Sequence, residues 1–275
     1  VMDALSGCLF EAGVEGLEEN LVGDELTTYL PTRAAVDALC VVYDEFKKQV
    51  ALVYPDIELD EPEIELADSS WQKTWREALE PAPLADDWVL RPTTRAPAPE
   101  GEKTIWFEPN ESFGSGSHPT TRLMVEELVE LGARDPGLPL FDVGSGTGVL
   151  SLVALRAVFS RALAVDVSEP AVEATKKSAE LNGLADRIDV KLGSADVTLE
   201  KFPVVVANID ARTLVLLAPE LLARLSGDGR LLLAGLLDED RDDVLGPYLA
   251  LGASLLDEKS ERGWTLLVLG APISG

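Results

Sequence analysis

The sequence is short of the residues that bind metals and form disulfides. Its 275 residues include one histidine and two cysteines, Cys8 and Cys40, which occur in no paired motif. A structural zinc site needs about four such ligands, so the sequence predicts no metal centre. Two isolated cysteines are typical of reduced, largely buried thiols, which favours a cytoplasmic location.

Long apolar runs are missing as well. Residues 231–237 form one of the longest, far short of the roughly 18 residues that span a bilayer. The first residues do not show the charged and then apolar pattern of a secretion signal. The sequence therefore predicts no membrane partner.

Basic residues are scarce. There are 23 lysines and arginines against 49 acidic residues, and the net charge is −26. Because such a chain repels a phosphate backbone, we expect no direct nucleic-acid partner. Residues 1–70 carry 17 acidic and 3 basic residues. This acidity is either a solvated surface, as in a salt-tolerant organism, or a docking surface for a basic protein; composition alone favours the solvated surface.

The most informative stretch that is present covers residues 141–148, Phe-Asp-Val-Gly-Ser-Gly-Thr-Gly. An apolar run predicts a buried strand, three alternating glycines follow, and a helical pattern comes next. A dinucleotide fingerprint would place a glycine at position 149, where this chain has valine. The spacing at Gly144 and Gly146 suits a ligand without a pyrophosphate, of which S-adenosylmethionine is the usual one. The alternative is a tight structural turn.

An acidic residue in register supports the nucleoside interpretation. The next apolar run, residues 162–165, ends in Asp166, 22 residues after Gly144. In a βαβ unit, an acid at the tip of the second strand reaches the ribose hydroxyls of a bound nucleoside. A carboxylate can accept both hydrogen bonds of a diol. Together the two features favour a nucleoside site over a structural turn.

Strand and helix patterns alternate along residues 101–275, which we interpret as the catalytic domain. Strands are predicted at 138–143, 161–166, 187–192, 203–207 and 230–235, and helices at 147–158, 170–182 and 212–225. This alternation predicts an α/β fold with a doubly wound parallel sheet. Residues 264–269 are expected to close it as an antiparallel hairpin. Ligands bind at the carboxyl ends of such strands, where we find Asp142, Gly144, Asp166 and Asn208.

The first 100 residues follow other patterns. Residues 1–68 read as a small α+β unit, with helices at 3–11 and 34–49, a strand at 26–30 and half-buried strands within 57–66. This order suggests a ferredoxin-like unit. In residues 69–100, Trp71 and Trp75 share one helix face as a packing anchor. A proline-rich stretch follows, either a stiff connector or an extended edge.

Residues 113–122 combine flexible glycines, small hydroxyls and the one histidine of the chain. They lead into a helix with Pro119 near its first turn. In one interpretation Ser117 or His118 caps that helix. In the other, the loop folds over a cofactor and Thr121 reaches it from the first helical turns. A general-base role for His118 is disfavoured, because a single histidine in a turn is more often structural.

Asn208 closes the apolar run 204–207 at the predicted ligand edge. It is either an ordinary turn-forming asparagine or an acceptor for a substrate amine. In the second case Oδ1 accepts N–H bonds and aims the nitrogen lone pair at a methyl group.

Three segments resemble one known family. Residues 112–121, Ser-Phe-Gly-Ser-Gly-Ser-His-Pro-Thr-Thr, resemble the Ala-Phe-Gly-Thr-Gly-Thr-His-Pro-Thr-Thr signature of the ribosomal protein L11 methyltransferases, the PrmA family. Residues 142–148 resemble that family's cofactor loop, and residues 206–209 its Val-Ala-Asn-Ile. Asp210 departs from the pattern, which usually has leucine there. The resemblance runs from about residue 69 to the end.

The resemblance implies a Rossmann-like class I methyltransferase that uses S-adenosylmethionine to methylate amino groups of ribosomal protein L11, on lysine side chains or the N-terminus. It implies an N-terminal domain that recognises this substrate. Cofactor contacts are implied at Phe113, Gly114, Thr121, Gly144, Gly146, Asp166 and Asn208. Two alternatives remain open: a methyltransferase of the same fold for another basic protein or a small amine, and a nucleoside-binding module without turnover.

Overall fold

The computed structural model describes residues 5, 9, 18–20, 25–28, 30, 33–54, 57, 59–64, 81–85, 87–93, 98–107 and 118–272. The chain divides into two compact units, Val1–Asp68 and Ser69–Gly275.

The first unit contains a short antiparallel sheet and a long helix. Strands β1 (Glu18–Asn20) and β2 (Glu25–Thr27) pair with each other, and helix α1 covers Arg33–Val53. Three apolar residues at helical spacing form one face of α1, namely Leu39, Tyr43 and Phe46. They pack against Leu5 and Leu9, which are helical and buried. The helix predicted at 34–49 is therefore confirmed, with a longer C-terminal end.

The half-buried strands predicted within residues 57–66 are wrong for the residues that the structure describes there. Residues 57 and 59–64 form no strand, and Ile57 and Ile64 are 41% and 43% exposed. Side chains of α1 hold this segment instead, since Tyr43 donates to the Asp60 carbonyl (2.7 Å) and Lys47 pairs with Glu61 (2.7 Å). Alternation with acids at every second residue mimics a strand, but no described partner strand lies beside it. The ferredoxin-like arrangement stays a prediction.

The proline-rich stretch forms part of a three-stranded sheet in the second unit. Strands β3 (Ala82–Ala85), β4 (Trp88–Pro92) and β5 (Lys103–Phe107) lie in that order. Pro83 lies on the edge strand β3, where a missing N–H breaks no ladder on the outer side. Leu84 and Ile105 are fully buried in the main core. The segment expected as a connector or extended edge thus contributes two strands.

A seven-stranded sheet forms the centre of the second unit. Its strands are β6 (Leu140–Val143), β7 (Ala162–Asp166), β8 (Ile188–Leu192), β9 (Phe202–Asn208), β10 (Leu225–Leu237), β11 (Ser254–Glu261) and β12 (Trp264–Gly270). Their order in the sheet is β11-β12-β10-β9-β6-β7-β8. The five strands β10, β9, β6, β7 and β8 are parallel to one another, and β12 is antiparallel to both of its neighbours, β10 and β11. The doubly wound sheet and its terminal hairpin are confirmed.

Six helices accompany the two sheets among the described residues of this unit. They are α2 (Pro119–Arg134), α3 (Val149–Arg156), α4 (Glu169–Leu181), α5 (Ala211–Leu216), α6 (Ala218–Ala223) and α7 (Arg241–Ala250). Three short 3₁₀ helices cover Ala185–Arg187, Ala195–Val197 and Asp238–Asp240. The single helix predicted at 212–225 is two helices that meet at Leu217, because Pro219 has no N–H to continue the ladder and disfavours helical backbone before it.

Apolar side chains cover both faces of the large sheet. Along β9, Val204 and Val206 pack toward α2, α3 and the small sheet, whereas Val205 and Ala207 pack toward α5, α6 and α7. Strands buried on both faces read as continuous apolar runs, which explains why the sequence revealed them. With both faces covered, the carboxyl edge of the strands remains open. No helix in the described part of the chain is long and apolar enough to cross a membrane.

Candidate functional site

A cleft opens at the carboxyl edge of the large sheet, where the strand order reverses. The chain runs from β6 to β7 and β8 on one side, and then crosses to β9 and β10 on the other. Loops that follow β6, β7, β8 and β9 enclose about 400 Å³. This volume lies in the range of small-molecule sites, and the reversal point is where ligands bind in open α/β sheets.

The loop after β6 turns back on the neighbouring strand. The backbone N–H groups of Gly144 and Ser145 both donate to the Val165 carbonyl, at 2.9 and 3.0 Å. Gly144 and Gly146 take φ values of +77° and +56°, which side chains disfavour. A Cβ on Gly144 would lie 2.4 Å from Ile209 Cγ2, whereas a Cβ on Gly146 would meet no atom within 4 Å. Gly146 therefore leaves open space at the cleft.

Side chains from two neighbouring elements fix this loop. The Thr175 hydroxyl, on α4, donates to the Gly146 carbonyl (2.9 Å) and lies 3.2 Å from Ser145 Oγ. Asp166 Oδ2 accepts the Gly146 N–H (2.9 Å), and its Oδ1 accepts the Ser168 N–H (2.9 Å). Each carboxylate oxygen has a second lone pair, so Asp166 can still accept bonds from a diol.

Asp142 lies beneath the same loop and is 1% exposed. Ser151, on α3, donates to its Oδ2 at 2.7 Å. Burial raises the pKa of Asp142 to about 6, and the negative charge of Asp166 adds to that rise, while the bonds from Ser151 oppose it. Asp142 is therefore a buried acid within β6 whose carboxylate is bound to α3 through Ser151.

The opposite side of the cleft is the segment that follows β9. Asn208 ends the strand beside Ala234 of β10, and the Ile209 N–H donates to the Ala234 carbonyl (3.1 Å). The Asn208 side chain is half-buried and forms no hydrogen bond among the described residues, although it lines the cleft. Its amide is thus available to a ligand.

Asp210, where the chain departs from the PrmA pattern, caps a helix. Its Oδ1 accepts the Thr213 N–H at 2.9 Å at the start of α5. The residue is exposed and lines the cleft. The departure therefore has a local structural reason, and it also adds a carboxylate to the site.

His118 caps helix α2. The Thr120 hydroxyl and N–H donate to its Nδ1 at 2.7 and 3.4 Å, and its ring lies edge-on to Trp264 with centroids 4.4 Å apart. Burial lowers the pKa of His118, and Nδ1 accepts the Thr120 N–H at the start of the helix. The capping interpretation of this segment is confirmed for His118.

The structure brings together four of the predicted site residues: Gly144, Gly146, Asp166 and Asn208 all line the cleft. Thr121 is 2% exposed in the first turn of α2 and is not part of the described lining. Phe113 and Gly114 lie outside the described residues. The proposed roles of these three residues remain predictions.

Sequence reasoning missed several residues that line the cleft: Val167, Ser168, Gly193, Ser194, Thr213 and Leu217. One signal could have found the turn at Gly193, because a glycine directly after a predicted strand at this edge is a candidate for close approach to a ligand. The described lining contains two carboxylates, Asp166 and Asp210, and no basic side chain. The described residues contain no group of three or more histidine, cysteine, aspartate or glutamate side chains placed to hold a metal ion.

Comparison with known proteins decides the family. The family model "Ribosomal protein L11 methyltransferase (PrmA)" matches residues 9–271. The chain belongs to this family. A PrmA relative named ribosomal protein L11 methyltransferase, from Sorangium cellulosum (strain So ce56), is 35% identical over 90% of this chain and 80% of its own length. One of the same name from Geobacter sp. (strain M21) is 32% identical over 89% of this chain and 81% of its own length.

A solved structure agrees with the fold. The crystal structure of ribosomal protein L11 methylase from Lactobacillus delbrueckii subsp. bulgaricus is similar to this chain with a TM-score of 0.63 and 26% identity. The similarity covers 70% of this chain and 97% of that one. The predicted fold class, α/β with a Rossmann-like methyltransferase sheet, is confirmed.

Proposed function

We propose that this PrmA chain is an S-adenosylmethionine-dependent protein N-methyltransferase whose substrate is ribosomal protein L11. One observation carries the proposal: Gly144, Asp166 and Asn208 end or follow three adjacent parallel strands and line one cleft. The two relatives described above are named ribosomal protein L11 methyltransferases. The amines that we assign as methyl acceptors are lysine side chains, the N-terminal α-amine, or both.

The residues present suit S-adenosylmethionine. The open space at Gly146 admits a ligand up to the backbone, and the loop is already fixed by Thr175 and Asp166. Asp166 is placed to accept the ribose hydroxyls. The described lining residues include no cation that would repel a sulfonium. We assign further contacts to Gly144 and Asn208, and to Phe113, Gly114 and Thr121 on the sequence resemblance alone.

When bound, the cofactor supplies a methyl group on a sulfonium, which is a reactive donor with a good leaving group. The chain then needs to hold an amine in line with the sulfur–methyl bond, and such positioning can supply about 7–11 kcal/mol in favourable cases. We assign this task to Asn208. Its Oδ1 accepts an amine N–H and directs the lone pair into the cleft.

Besides alignment, the amine must lose a proton before it can accept a methyl group. A lysine with a pKa of about 10.4 is mostly ammonium at pH 7, and freeing its lone pair costs about 4.6 kcal/mol. A carboxylate in direct contact would raise that cost, because it stabilises the ammonium. A neutral amide such as Asn208 avoids this effect. An α-amine, with its lower pKa, is easier to free.

We assign recognition of L11 to residues 1–68, methyl transfer to residues 101–275, and a linking role to residues 69–100. The high acidity of residues 1–70 supports this assignment, since opposite charge steers a basic protein. A ribosomal protein as substrate supports our inference of a cytoplasmic location. The net charge of −26 argues against direct nucleic-acid contact.

Mass spectrometry of purified L11, after incubation with the chain and S-adenosylmethionine, tests the proposal. We expect methyl groups, each adding about 14 Da, on amines of L11. Cofactor binding without transfer to L11 would reject this substrate. A panel of other basic proteins and small amines would then separate a related methyltransferase from a binding module without turnover.

A further inference from the structure

Among the described residues, two carboxylates line the cleft, and they lie on different sides of it. Asp166 ends β7, whereas Asp210 follows β9, and β6 lies between these strands. Two strand spacings separate the sides by roughly 10 Å. Asp166 is bound on both oxygens by the backbone near the glycine loop. Asp210 lies on the other side, two residues beyond Asn208.

The carboxylate of Asp210 is only half used by the fold. Oδ1 caps α5 through the Thr213 N–H, and no group among the described residues donates to Oδ2. The nearest base in sequence, Arg212, forms no ion pair with it within the described part of the chain. Because Oδ1 is bound to the helix, the Asp210 side chain has a fixed position. Its negative charge therefore stays at the cleft.

We propose that Asp210 is a specificity-determining residue, whose carboxylate draws the ammonium form of the protein substrate's amine to the Asn208 side of the cleft. This inference rests on the proposed function. The ammonium is attracted to Asp210 at the rim and meets the neutral amide of Asn208 farther in, where its lone pair must be freed. Charge complementarity at a rim acts on capture more than on the chemical step.

A substitution can separate the charge of Asp210 from its cap. Asparagine caps a helix about as well as aspartate does, so Asp210→Asn keeps the bond to the Thr213 N–H and removes the charge. Asp210→Ser does the same with a different side chain. The matched control is Asp228→Asn, which changes the net charge equally at an exposed position near the start of β10, away from the cleft.

The measurement is steady-state methylation of L11 at low and high salt, with cofactor affinity measured by calorimetry. We expect KM for L11 to rise roughly fivefold at low salt in both Asp210 variants, as for a charge pair a few ångströms apart in water. We expect kcat and the cofactor Kd to stay within about twofold. The difference in KM between the Asp210 variants and the wild type should shrink near 1 M ionic strength, where the Debye length is about 3 Å. Asp228→Asn should match the wild type.

Each other result counts against the inference. Equal KM values in Asp210→Asn and Asp228→Asn would refute it, as would a KM difference that salt leaves unchanged. Weaker cofactor binding with an unchanged KM would show that Asp210 acts on the cofactor instead. If the wild-type chain transfers no methyl to L11 while it binds the cofactor, the proposed function fails, and this inference fails with it.

Discussion

The glycine loop after β6 is held by five hydrogen bonds to β7 and α4, whereas the Asn208 side chain across the cleft has none among the described residues. Val165 and Asp166 bind the backbone of the loop, and Thr175 binds it from behind. Asn208 presents an amide at the end of β9. The same cleft thus has one side with a fixed backbone and one side with available side chains.

This difference separates two tasks. Backbone that is already ordered loses no further conformational entropy when a ligand binds, so the loop suits a cofactor that must bind in one pose. Side chains with unused hydrogen-bonding capacity suit a group that changes its protonation and bonding during the reaction. Variants of the glycine loop should therefore change the cofactor Kd, whereas variants on the Asn208 side should change the kinetic constants of methyl transfer.

The largest effect is expected from Asn208→Ala. Loss of the acceptor leaves the amine unaligned, and kcat should fall by about 100-fold or more, as for other removed transition-state contacts. The cofactor Kd should rise much less than kcat falls, because Asn208 is only one of the residues that we assign to the cofactor. Kinetics with labelled cofactor, together with calorimetry, measure both constants. Near-normal turnover would remove Asn208 from the mechanism, and a parallel loss of cofactor affinity would break the comparison between the two sides.

A pair of glycines isolates the role of the fixed side. Gly146 and Gly137 both have positive φ and open space at the Cβ position, but only Gly146 lines the cleft. Alanine at either position should destabilise the fold by about 1 kcal/mol through backbone strain. In addition, Gly146→Ala should raise the cofactor Kd at least about tenfold, because its methyl fills ligand space.

Calorimetry and thermal unfolding of the two glycine variants provide the test, with Gly137→Ala as the control for strain. Equal cofactor affinity in Gly146→Ala and Gly137→Ala would mean that the ligand does not approach the loop.

A pH-dependent effect on stability, with no direct contact to either ligand, is expected at the buried Asp142 of β6. Its folded pKa, about 6, exceeds the ordinary 3.8, so the folded state binds more protons than the unfolded state between these values. Stability from this group is present below about pH 4 and is lost as the pH rises through 6. Asparagine does not titrate. Relative to Asp142→Asn, the wild type should lose about 1.4 kcal/mol of unfolding free energy between about pH 5 and pH 7.5.

Urea unfolding of the wild type and Asp142→Asn at these two pH values measures the difference. If the difference in unfolding free energy between the two proteins does not change with pH, the raised pKa is contradicted. A difference of the opposite sign would mean that the folded state stabilises the carboxylate.

Much of the sheet and half of the site could be predicted because their signals are local. Continuous apolar runs revealed the parallel strands, and glycine spacing after one of them revealed the loop. Asp166 and Asn208 follow strands directly, so strand prediction alone brings them to one edge.

Other features depend on contacts that sequence spacing does not contain. Thr175 meets Gly146 only after α4 packs behind the loop. The proline-rich strands β3 and β4 pack on the main core. Residues 57 and 59–64 have no described partner strand, although their sequence alternates like one. Pro219 is a local signal for the break between α5 and α6, although the apolar pattern continues across it.

A crystal structure of the chain with S-adenosylhomocysteine tests the central claim most directly. We predict the ribose hydroxyls within hydrogen-bond distance of Asp166, the ligand against the backbone of Gly144 and Gly146, and its sulfur on the Asn208 side of the cleft. Density for the ligand at any other place on the chain, or a sulfur on the side away from Asn208, would contradict the account.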